Sequence, residues 1–121
     1  MTDKKTKPTV HRFINDVYQY ALFVRIGGTR EHALRWFEKK FNVAEHESKA
    51  TVHGSMIFMD DERSHMIWLA DAKNLGILAH EALHSVNHVM RGAGVGPMCE
   101  DNEEAYAYLL QWTVNRIAGA V

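Results

Sequence analysis

Within the run Leu75–Met90 the chain reads His80-Glu81-Ala82-Leu83-His84, two imidazoles four residues apart with a carboxylate beside the first. On an α-helix that interval is about one turn, roughly 6 Å along the axis, and it sets both side chains on one face within reach of a single metal ion. The spacing is that of a zinc site. Glu81 is too short and wrongly angled to join the histidines as a ligand. It is placed instead to hold an attacking water and take its proton, the task of a general base. Leu75, Ile77, Leu78, Leu83 and Val86 supply the apolar stripe that packs such a helix on a core.

A catalytic zinc ordinarily takes three protein ligands, so the set must be completed from elsewhere. His88 repeats the four-residue interval, but eight residues separate it from His80, about 12 Å along a straight helix, which one ion cannot bridge. A structural or substrate-facing role is expected for it. No glycine bends the chain toward a third histidine, because Asn87 and Met90 stand in those places. The carboxylates remain: Glu100, Asp101, Glu103 and Glu104, at the entrance to a helix predicted over Asn102–Ala118. Helix electrostatics accounts for part of this charge, since acidic side chains favour the first turn.

It does not account for the position of Glu104, twenty residues after His84. That separation resembles the gluzincin metallopeptidases, the thermolysin-like ones among them, whose third ligand is a glutamate on the next helix. Glu104, with Ala107 three places on and then Tyr108, looks like the family's glutamate followed by the small residue needed for close packing. Glu103, preceded by Asn102 as in the thermolysin-like Asn-Glu pair, is the competitor; Glu104 is favoured. The chain departs from the pattern at Tyr108, where many gluzincins carry an aspartate that holds a zinc-ligating histidine. Loss of that partner loosens ligand orientation and bears on turnover more than on zinc binding.

The resemblance covers about Met56–Ile117 and extends to the minimal gluzincins of bacterial and phage or prophage proteins. It implies a Zn2+ held by His80, His84 and Glu104, with Glu81 as general base, and a peptide or protein as substrate. The developing oxyanion needs a further donor, for which Tyr106, Tyr108, His65 and His53 are the candidates. It also implies an edge strand that binds extended substrate beside the zinc helix. Met66-Ile67-Trp68-Leu69 resembles that strand, the alternative being an ordinary buried hairpin strand.

These residues need a scaffold, and the remaining sequence supplies one. Val17–Ile26, rich in aromatic and β-branched residues and closed by Gly27-Gly28, is predicted as a strand. Thr29 then caps a helix over Arg30–Phe41, whose Ala33, Leu34, Trp36, Phe37 and Phe41 recur at a mostly helical period. Thr51–Met59 and His65–Leu69 flank Asp60-Asp61-Glu62-Arg63 as a β-hairpin. The order strand, helix, hairpin, helix, helix predicts an α+β, zincin-like domain: a short mixed sheet, helices on one face of it, a zinc-bearing helix and a C-terminal glutamate helix. Gly92–Pro97 follows a helix instead of opening one, so it is a connection and not a phosphate loop.

At 121 residues, 46 % of them hydrophobic, the chain can bury one core, with residues 1–10 expected as a frayed terminus and 11–121 as the domain. Fourteen basic against fifteen acidic side chains lack the basic excess of a nucleic-acid binder. Met1–Pro8 carries no apolar stretch that would make it a signal peptide or anchor, and no run is long enough to cross a bilayer. Cys99 is the single cysteine, which excludes an internal disulfide and fits a reducing cytosol. The expectation is a cytoplasmic zinc-dependent hydrolase, most simply a metallopeptidase. The rivals are a zinc-stabilised binding or inhibitor protein, for example phage-encoded and acting on a host protein, and a metal-free structural domain.

Overall fold

The computed structural model describes residues 7–42, 47–50, 54–58 and 64–120. The chain is a small α+β domain. Strand β1 (Thr9–Asn15) and strand β2 (Tyr20–Ile26) form an antiparallel hairpin, helix α1 (Arg30–Phe41) follows, then strands β3 (Glu47–Ala50), β4 (Gly54–Phe58) and β5 (His65–Leu69), and finally helices α2 (Leu75–Gly92) and α3 (Glu103–Gly119). The five strands lie in the order β1-β2-β5-β4-β3, and of the pairings only β2–β5 is parallel.

Strand β1 begins at Thr9, inside the segment expected to fray, and was not anticipated as a strand. The run from Val17 is shorter as a strand than its composition suggests, because residues 16–19 are spent on the hairpin turn. There the Asn15 Oδ1 accepts the Tyr18 N–H at 2.9 Å, and Gln19 takes a left-handed φ of 55°. Gly27 and Gly28, at φ 96° and 72°, turn the chain from β2 into α1, a conformation that costs other residues more. Thr29 caps α1 as expected, accepting the His32 N–H through Oγ1 at 3.1 Å. The hairpin read from sequence is the β4–β5 pair; its connecting residues 59–63 lie outside the described residues.

The helices do not share one face of the sheet, as the sequence suggested. Strand β2 buries side chains on both sides. Leu22 and Val24, with Met56, Ile67 and Leu69, meet Leu78, Val86, Val89 and Met90 of α2 and Tyr106, Leu109 and Ile117 of α3. Ala21 and Phe23, with Ile57, Met66 and Trp68, meet Ala33 and Phe37 of α1 on the other side. A central strand covered on both faces reads as a continuous apolar run, which carries no alternation to show how many layers pack on it.

Of the two readings of β5, the buried inner strand is the one found. It is the middle strand of five, hydrogen-bonded to β2 on one side and β4 on the other, so it has no free edge on which a peptide could add. The edges of the sheet are β1 and β3. Apolar character identified β5 as a strand, but an edge is defined by neighbours that come from distant sequence.

Candidate metal centre

Helix α2 begins at the N-cap Asn74, whose Oδ1 accepts the Ile77 N–H at 3.2 Å. Its buried side, Leu78, Glu81, Ala82, Ser85, Val86, Val89 and Met90, packs on the sheet and on α3. The interval of four therefore leaves His80 exposed and His84 half-buried on the opposite side. Their ring centroids are 4.9 Å apart, with an interplanar angle of 77°. Two imidazoles sharing one tetrahedral ion, each nitrogen about 2.1 Å from it, hold their centroids about 5 Å apart. The separation is compatible with a shared ion, and equally with an edge-to-face contact between the two rings.

Glu81 points the other way, into the fold, and is completely buried. Neither carboxylate oxygen has a hydrogen-bond partner among the described residues. Burial pushes its pKa up from the ordinary 4.5 to about 7, because the charged form has lost its water. The space for this side chain is made by Gly54 on β4. A Cβ there would come within 2.7 Å of Ile77 Cγ2, 2.9 Å of Glu81 Cγ and 3.1 Å of Glu81 Oε2. Gly54 was missed in the sequence, where its one signal was a glycine inside the apolar run Thr51–Met59, a mark of close approach by another element.

A second polar group sits one step along the helix. Ser85 Oγ and His65 Nε2, both fully buried, share a hydrogen bond of 2.6 Å between α2 and β5. His65 also stacks on Tyr20, centroids 5.4 Å apart, and meets the edge of His88 at 5.0 Å. His88 is thus a packing partner of the β5 histidine. The His65–Ser85 contact fixes the rotation of α2 on the sheet immediately beside His84. No sequence pattern announced it, since the two residues belong to different elements.

The acidic residues are arranged differently from the histidines. Tyr106, Leu109, Thr113 and Ile117 form the buried stripe of α3. Glu103 stands one turn before Tyr106, at the border of that stripe, whereas Glu104 is turned roughly 200° from Tyr106. Both glutamates are exposed, and so is Tyr108, 66 % accessible on the Glu104 side. Among the described residues, no three His, Cys, Asp or Glu side chains come together as a group able to hold a metal ion. Tyr106 donates its hydroxyl to Gly96 O at 2.8 Å, and His65 is engaged with Ser85; His53 lies outside the described residues. Cys99 is exposed, and its backbone N–H donates to Asn102 Oδ1 at 2.7 Å. Asn102 therefore braces the loop ahead of α3 and does not cap the helix with its side chain.

No protein-family model, curated protein or solved structure matches the chain. Its chemistry rests on its own residues. Among the described residues, no helix is long and apolar enough to cross a membrane.

Proposed function

We propose that the protein is a zinc-dependent hydrolase that cleaves a peptide bond in a cytosolic peptide or protein, with His80, His84 and Glu104 holding the metal. One observation carries the assignment: two imidazoles at the 4.9 Å separation of a shared ion stand on the same helical turn as a carboxylate with no hydrogen-bond partner among the described residues. A bound zinc would polarise the scissile carbonyl and make water more acidic. For Glu81 to take a proton from the attacking water as the new C–O bond forms, and to return it to the amine nitrogen as the C–N bond breaks, its carboxylate has to leave the buried position beside Gly54 and swing toward the His80–His84 side. Tyr108 is the donor assigned to the developing oxyanion. His65 and Ser85 act through α2, holding the turn that carries His84 at a fixed rotation on β5.

The test is zinc per chain by elemental analysis on the wild type, Glu104→Ala and Glu103→Ala, with peptide hydrolysis measured on the wild type and Glu81→Gln. The expected result is one zinc per wild-type chain, lost with Glu104→Ala and kept with Glu103→Ala, and hydrolysis lost with Glu81→Gln while zinc and fold remain. Wild type without zinc after reconstitution would refute the assignment.

A second reading has its own support, because Glu104 and Tyr108 face solvent and β5 offers no edge for substrate. In it, the protein is a zinc-stabilised binding module that cleaves nothing. Glu81→Gln would then leave its partner binding unchanged.

A further inference from the structure

On the face of the sheet opposite α2, Arg25 of β2 is only 9 % exposed. Its Nε is buried with no hydrogen-bond partner among the described residues. A guanidinium keeps its charge in any protein, and holding it on a largely buried side chain takes water away from it. Burial lowers the Arg25 pKa, consistent with that loss.

The side chain leads toward the β2–α1 turn. An Arg25 Nη lies 4.0 Å from the point that a Cβ on Gly28 would occupy, and the Pro8 ring flanks the same point, its Cγ at 3.6 Å and its Cβ at 3.7 Å, so the glycine leaves room for both beside the turn. Gly28 and Thr29 are exposed. Behind them the turn is held firmly: the Gly27 N–H donates to Leu69 O at 2.8 Å, and Trp68 Nε1 donates to Gly27 O at 3.0 Å. The N–H groups of Gly28, Thr29 and Glu31 make no backbone hydrogen bond among the described residues. They stand at the positive end of a twelve-residue helix. Arg12 lies one diagonal step away on β1, on the Arg25 side of the sheet, since Val10 pairs with Arg25 and Arg12 with Phe23. Glu31 is the acidic side chain of that first turn.

We propose that the β2–α1 turn is a binding site for a phosphate-type oxyanion, with Arg25 supplying the counter-charge from below and the Gly28–Glu31 backbone supplying donors from above. Strand, glycine turn and helix N-terminus together present N–H groups to an anion, and the largely buried guanidinium adds charge-assisted bonds. The site is independent of the zinc centre, which lies on the other face of the sheet.

The test uses inorganic phosphate on the full chain, with sodium chloride at matched ionic strength as control. Phosphate is expected to raise the thermal midpoint of the wild type above the chloride control and to move the amide resonances of Gly28, Thr29 and Glu31. Arg25→Met should weaken binding by roughly tenfold to a hundredfold, the range for losing a charged hydrogen bond. Because it removes a charge from a largely buried side chain, it should itself fold. An adenine mononucleotide run in parallel separates the sources: much tighter binding than phosphate marks the phosphoryl group as the handle of a larger molecule, equal binding a free anion. Phosphate effects equal to chloride, equal in Arg25→Met, or confined to other residues would overturn the proposal. If Arg25→Met does not fold, the location of the wild-type amide shifts decides.

Discussion

Glu81 brings a carboxyl into an interior where neither oxygen meets a hydrogen-bond donor among the described residues. The adjacent His80 faces solvent, so one helical step separates a ligand from a base. In metal-free protein this has a pH signature. The folded-state pKa of about 7 lies above the ordinary 4.5, so between those values the folded chain keeps a proton that the unfolded chain has released. Stability should therefore be fully present below about pH 4.5, fall as pH rises toward 7 and level off above, by about 1 to 3 kcal/mol in total. Urea midpoints at pH 5 and pH 8 in the presence of a chelator check this, with Glu81→Gln as the comparison. The variant should lose most of the difference, and an unchanged pH dependence in Glu81→Gln would assign it to other groups. The motif residues were legible in the sequence because a helix converts spacing into direction. The depth of Glu81 was not, because it depends on a glycine in another strand.

Helix α2 is located on the sheet by two contacts that work in different ways. Gly54 lets the helix come close, and the His65–Ser85 hydrogen bond sets its rotation. Gly54→Ala would drive a methyl group into Ile77 and Glu81, where overpacking costs about 1 to 3 kcal/mol and the neighbouring side chains must shift. Ser85→Ala would take the hydroxyl from a fully buried imidazole, again at about 1 to 3 kcal/mol. Equilibrium urea unfolding measures both. Gly54→Ala should in addition alter zinc affinity through movement of the His80–His84 turn, and stabilities within error of wild type for both variants would show that α2 is placed by its apolar stripe alone. Helices α1, α2 and α3 were read within a residue or two, since capping and apolar period are local. Strand β1 was not, because its place in the sheet comes from pairing with β2 and not from its own composition.

Across the whole molecule, the proposed ligands lie on the two helices that share one side of the sheet, so metal binding and folding should be coupled. Zinc at a hundred times its dissociation constant should stabilise the fold by about 2.7 kcal/mol, on the order of 10 °C in thermal midpoint for a domain of this size. Magnesium, a hard ion that prefers oxygen ligands, should do little. A melting series with zinc, magnesium and chelator tests it, and equal midpoints in all three would count against a metal centre that joins α2 to α3. By itself the sequence determined the H-E-x-x-H face, the three helices and the β4–β5 pairing, because each follows from periodicity and turn chemistry within a short window. Only the tertiary structure decided that β5 is central, that α1 and α2 cover opposite faces, that Glu81 is buried against Gly54 and that Arg25 is enclosed beneath the β2–α1 turn. Those are properties of neighbours brought together from distant parts of the chain, and local pattern does not record them.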